Sequence, residues 1–169
     1  MKKRLMRTLA IVCLAAMLLA VGGTASADTA KLESTKTFLS YLDKKEISYD
    51  YIGVDGKYEE VDVTLDRKLF PSLTCEIYFR DDGEELSLRI WNIITAKADK
   101  ESVFAALNTL NDNYKFVKFV FDESDSTVQA ELDMYIDAEH CGRSVYDAMN
   151  AMFNVVDNED AYKVLHGLE

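Results

Sequence analysis

His140 stands directly before Cys141, and the chain has only one other histidine, His166. A cysteine nucleophile needs a base within hydrogen-bond reach. Side chains of adjacent residues at a helix start point apart, so this pair is a poor dyad. His140 reads instead as a surface or capping residue. His166 lies three residues from the end. Zinc takes about four Cys, His or carboxylate ligands at short paired spacings, and no such set is present. Asp122 to Asp133 spans the 12 residues of a calcium loop. Its third and fifth positions are Ser124 and Ser126, and Thr127 stands where a glycine is needed. A hairpin explains the same residues better. There is no glycine-rich phosphate loop, and no cofactor is implied. Paired carboxylates for glycoside chemistry remain an alternative in so acidic a chain, although no pair stands out on an apolar strand.

The other notable residues are aromatic. Tyr78, Trp91, Phe116 and Tyr135 fall on the polar, alternate side of their predicted strands. Exposed aromatic patches are enriched at protein interfaces. Aromatics paired across strands also stabilise a sheet with no partner at all. Both readings stand at this point, and these four residues form the candidate protein-binding surface.

The elements that would position them are legible from apolar spacing. A first helix is expected from Ala30 to Lys45, with Leu32, Phe38, Leu39 and Leu42 on one stripe. A short strand, Ser48 to Ile52, precedes a type I′ turn at Asp55-Gly56 and a strand from Glu60 to Leu65. Leu73, Cys75, Ile77 and Phe79 alternate with polar neighbours; Asp81-Asp82-Gly83 turns the chain; Leu86, Leu88 and Ile90 return. A second helix is expected near Asp99, a good N-cap, with Val103, Phe104, Leu107, Leu110 and Tyr114 facing inward. A third hairpin runs through Val117, Phe119 and Phe121, turns at Glu123 to Ser126, and returns through Val128 to Ile136. Val145, Met149, Met152, Phe153 and Val156 mark a third helix, and Glu159 to Leu165 a last short one. The expected fold class is α+β: an antiparallel sheet of five to six strands with helices packed on one face, in α-ββ-ββ-α-ββ-α order.

The first 27 residues read as an export signal. Lys2, Lys3, Arg4 and Arg7 precede an unbroken apolar run, Leu9 to Val21, and Ala25-Ser26-Ala27 offers a signal peptidase site. The run is shorter than the roughly 20 residues that span a bilayer. Cleavage near Ala27 would leave 28–169 as a single periplasmic or extracellular domain without stable membrane insertion. That part carries 15 basic and 30 acidic residues, a net charge of −15. Such a surface repels phosphate backbones, so nucleic acid is excluded as the main partner. Its two cysteines, Cys75 and Cys141, lie in a compartment that permits a disulfide, yet spacing alone does not fix their geometry. Two buried thiols is the favoured picture.

In element order and turn placement, "TCEIYFRDDGEELSLRIWNII", "LNTLNDNYKFVKFVFDESDSTVQAELDMYID" and "HCGRSVYDAMNAMFNVVD" resemble the YbjN family of small bacterial proteins. The resemblance covers nearly all of 28–169, but it rests on hydrophobic and turn patterns rather than reactive residues. It implies a fold like that of type III secretion chaperones and a regulatory role in sensory transduction, with no catalytic residues to carry over. The signal segment departs from relatives that look cytosolic. The resulting expectation is an exported, non-enzymatic binding or chaperone-like module whose partner is a protein or peptide, with a homodimer as one form. A carboxylate-using enzyme or a structural envelope protein is the alternative.

Overall fold

Strand alternation in this chain produces two chemically different faces of one sheet. The computed structural model describes residues 29–169, so the expected signal segment, 1–27, lies outside the described residues. The element order is α1 (Glu33–Lys44), β1 (Asp50–Asp55), β2 (Tyr58–Leu65), β3 (Leu73–Arg80), β4 (Glu85–Thr95), α2 (Lys100–Asn113), β5 (Lys118–Asp122), β6 (Thr127–Tyr135), α3 (Cys141–Val156) and α4 (Glu159–His166). The strands form one six-stranded sheet in the order β1-β2-β3-β4-β6-β5, antiparallel throughout. The α+β class and the helix-and-hairpin order are as expected.

Register makes the two faces. Val61, Ile77, Leu88 and Leu132 lie opposite one another across β2, β3, β4 and β6, and all four are buried. One residue further along, Asp62, Glu76, Arg89, Glu131 and Lys118 form the matching row on the other face. Successive side chains of a strand point to opposite sides, so a one-residue slip would exchange these rows. Burial of the apolar row fixes the register.

The helices cover the apolar face. Phe38 of α1 packs on Phe79 of β3, with ring centroids 5.7 Å apart. Phe104 and Tyr114, at either end of α2, meet Phe121 and Phe119 of β5. Phe38, Leu39, Leu42, Val145, Met149, Met152 and Phe153 are fully buried. Fully burying each such side chain contributes about 1.5–3 kcal/mol. α1 and α3 approach closely where Gly142 faces Tyr41: a Cβ at Gly142 would lie 2.9 Å from that of Tyr41 and 3.0 Å from the Thr37 carbonyl oxygen. Asp99 caps α2 through the Ser102 N–H at 3.0 Å, as its position predicts.

Several boundaries differ from the sequence expectation. α1 starts at Glu33 rather than Ala30, with Leu32 extended as its N-cap and the N–H groups of Lys31 and Leu32 bound by the Glu59 carboxylate on β2. β1 covers Asp50–Asp55 and pairs Asp55 with Tyr58, leaving Gly56 and Lys57 as the turn. Only Gly56, with φ of 60°, is positive there; that suits a II′ rather than a I′ turn. β4 bulges between Ile90 and Ile94, with Asn92 at φ 51°. The β3–β4 ladder ends at Glu76 and Arg89, just before that bulge. Phe104 is 45% exposed, since it stands at the rim of α2 rather than facing inward.

Candidate binding surface

Among the described residues no helix covers the second face of the sheet, and its side chains fall in rows two residues apart. Tyr58 lies opposite Arg80, and Glu85 opposite Tyr135. Next come Glu60, Tyr78, Ser87 and Asp133, then Asp62, Glu76, Arg89, Glu131 and Lys118, and beyond them Thr64, Thr74 and Trp91. Tyr78 and Trp91 converge on Glu76. The Trp91 indole N–H donates to its carboxylate at 2.7 Å, and the Tyr78 hydroxyl donates to the same oxygen. Tyr58 meets Tyr78 edge-on at 6.2 Å. Tyr78, Ser87, Arg89 and Tyr135 line a shallow pocket of about 400 Å³. Tyr135 is 79% exposed.

Charge is distributed unevenly over this face. On the β4–β6 side Arg89 pairs with Asp133 at 2.8 Å and approaches Glu131 at 3.9 Å, while Arg80 pairs with Glu85. On the β1–β3 side Glu60, Asp62 and Glu76 bring carboxylate oxygens within 4.8 Å of one another. Asp50 lies opposite Asp62, and Asp55 opposite Tyr58, so both extend the acidic area to the sheet edge. Among the described residues none of these five acids is in an ion pair with Lys or Arg. Burial, followed by the charges of Glu60, Glu76 and Asp50, pushes the Asp62 carboxyl up to about 6. One Asp62 oxygen is shielded from solvent with no hydrogen-bond partner. Glu60 is raised by burial and then by Glu76 and Asp55. Three carboxylates so placed attract cations and, on charge and donor type, could ligate a hard metal ion.

The sequence-predicted surface is therefore partly assembled. Tyr78 and Trp91 share Glu76, and Tyr135 stands across Ser87 from them on the same face. Phe116 is 78% exposed but precedes β5 and belongs to none of these contacts. Tyr58 and the β1–β3 acids escaped the sequence reading. Their polar parity along each strand was visible, but only the register brings Asp62 beside Glu76.

The two cysteines, His140 and the acidic β5–β6 turn stand apart from the face. Cys75 and Cys141 are buried free thiols. Burial raises the Cys75 thiol far above its ordinary value and Cys141 to about 11. The Cys141 thiol donates to the Ser34 carbonyl at 3.3 Å. His140 is exposed beside Asp137, 3.2 Å away, and caps no helix with its side chain. Asp122 and Asp125 turn their carboxylates onto Ser124 and Thr127 in the β5–β6 turn, which explains the 12-residue acidic stretch without calcium.

No protein-family model and no curated protein matches the chain. Among solved structures it is similar to the crystal structure of YbjN from E. coli, at 13% identity and a TM-score of 0.43, over 73% of this chain and 89% of that one. The binding surface has to be read from its own side chains. No helix among the described residues is long and apolar enough to cross a membrane.

Proposed function

We propose that the protein is a non-enzymatic binding module, working after export, that holds a polypeptide partner on the uncovered face of its sheet. The observation that carries this reading is the face itself. The helices of the described residues pack on one side, while Tyr58, Tyr78, Trp91 and Tyr135 stand with eight acids and two arginines on the other. Aromatic side chains give contact area at low entropic cost, and rows of charge supply register to a partner. A second copy suits the face less well, because the chain carries a net charge of −11 and the β1–β3 acids would meet their own kind.

Trp91 is the only tryptophan, so its fluorescence reports directly on the face. A peptide array read by Trp91 emission should yield binders. Their affinity, measured by calorimetry so that loss of the fluorophore does not matter, should fall for a Trp91→Ala, Tyr78→Ala variant and stay unchanged for Phe116→Ala. Equal binding by all three proteins would overturn the reading.

A second reading rests on the raised Asp62 and Glu60 carboxyls. An acid protonated near pH 6 beside two further carboxylates is the equipment of general acid catalysis. Its seat on a sheet face rather than in a deep cleft favours binding. Turnover of a glycan or ester that Asp62→Asn abolishes, with folding intact, would replace the first reading by this one.

A further inference from the structure

The two edges of the sheet are finished differently. At the β5 edge the Asn111 side chain takes both backbone groups of Phe119: its Oδ1 accepts the N–H at 2.7 Å and its Nδ2 donates to the carbonyl at 2.9 Å. An amide side chain there occupies the place of a neighbouring strand. α2, which carries Asn111, packs along the same strand. That edge is closed. An exposed strand edge is otherwise a template for pairing, and proteins blunt it with Lys, Pro or a covering element.

β1 has no Lys and no Pro. A bulge at Ile52 is its one irregularity, and Ile52 and Val54 are 58% and 51% exposed. Asp55 closes the two-residue turn with Tyr58, so ladder alternation sends the N–H and C=O of Val54 outward. On one side of this edge lies a small pocket of about 110 Å³ with mainly apolar walls, lined by Leu32 and Val54 with Lys31, Lys57 and Glu59 around them. On the other lie Asp50, Asp55, Glu60 and Asp62, none of them in an ion pair with Lys or Arg among the described residues.

We infer that β1 is the docking edge, and that its occupant is an extended segment of a partner protein with Lys or Arg at alternate positions, added as a seventh strand. Main-chain hydrogen bonds to β1 supply affinity and alternate side chains supply specificity. Side chains of one parity place their cations over Asp50, Asp55, Glu60 and Asp62. Those of the other parity, small and apolar, rest against Val54 and Leu32. Pairing β1 with β1 of a second copy would set aspartates opposite aspartates, which opposes self-association. This inference rests on the reading of the protein as a polypeptide-binding module and adds where the segment lies and what it carries.

The test uses synthetic peptides of about ten residues, the length of a long strand. One alternates Lys with Val and Thr; a second has the same composition in blocks; a third alternates Glu with Val and Thr. Calorimetry at low and high salt should show binding of the first alone, weakened by salt. Val54→Pro removes an outward N–H, and Ile52→Lys sets a like charge on the edge without touching the backbone. Each should weaken binding about tenfold or more by removing main-chain bonds or adding repulsion. Circular dichroism checks that both variants are folded. Equal binding of the alternating and block peptides, unaffected by either β1 variant but lost in Trp91→Ala, Tyr78→Ala, overturns the edge and leaves the sheet-face reading standing. Preference for the acidic peptide overturns the charge assignment. A dimer by light scattering that Ile52→Lys dissociates overturns the choice of occupant.

Discussion

Glu59 and Lys31 tie the sheet to the first helix: the Glu59 carboxylate on β2 accepts the backbone N–H of Lys31 at 2.7 Å. The same carboxylate accepts the Leu32 N–H at 3.1 Å and the Tyr51 hydroxyl at 3.0 Å. Glu59 is 1% exposed, the one buried charged residue among the described residues. Burial alone would raise its carboxyl, but the hydrogen bonds outweigh it and hold the group below the ordinary carboxylate value. The folded state therefore prefers the ionised form. Its contribution is complete above the unfolded value near pH 4.5 and is lost as pH falls through the lower folded value. Glu59→Ala should cost about 2–3 kcal/mol at pH 7 by leaving donors unpartnered, read by urea unfolding. The gap between the two proteins should narrow under acid.

Asp62 should behave with the opposite sign. Its folded carboxyl is raised to about 6, so the folded state binds the proton more tightly than the unfolded chain does. That contribution is present below the unfolded value near 3.8 and disappears as pH rises through about 6. Asp62→Asn should raise Tm at pH 8 and leave it nearly unchanged at pH 4. An equal rise at both values would contradict the assignment.

Gly142→Ala should be strongly unfavourable for a single methyl group. The added carbon would press on the Tyr41 Cβ and the Thr37 carbonyl, neither of which is a flexible chain end. A cost of about 1–3 kcal/mol is expected for such overpacking, measured by chemical unfolding. Tyr41 also packs against Tyr146 with ring centroids 5.5 Å apart and planes tilted by 47°, so the separation of α1 and α3 should change with it.

Asn111→Ala should do two things at once. It strips the Phe119 N–H and carbonyl of their partners, a loss of about 1–3 kcal/mol. It also opens the β5 edge to pairing. Light scattering should then show self-association that the parent protein lacks at equal concentration.

The thiols give a simple solution test. Cys75 is fully buried and Cys141 is 1% exposed, both with raised thiol values. A thiol reagent should leave both unmodified in the native protein at pH 8 and label both in guanidinium. Rapid labelling of Cys141 in the native state would contradict its placement under Ser34.

Apolar periodicity made most of the fold readable. Val61, Val63, Cys75, Ile77, Phe79, Leu86 and Leu88 alternate along their strands whatever their neighbours are, because a half-buried strand needs one dry side. The heptad-like spacing of Val145, Met149, Met152 and Val156 fixed α3 for the same reason. Asp99 announced the start of α2. Less legible were α1's first turn and the course of β4. The chain entering the former is held by Glu59, 28 residues from Lys31, and the latter is set by a bulge that no local pattern signals.

The binding surface divides along the same line. The sequence by itself determined that Tyr78, Trp91 and Tyr135 sit at polar positions of strands, since parity is a local property. Tertiary structure alone decided that Tyr78 and Trp91 share Glu76, that Phe116 stands apart, and that five acids without an ion-pair partner among the described residues gather toward β1. Those facts depend on strand order and register, which bring residues 62 and 76 side by side. Charge repulsion acts through space, and no spacing along the chain records it.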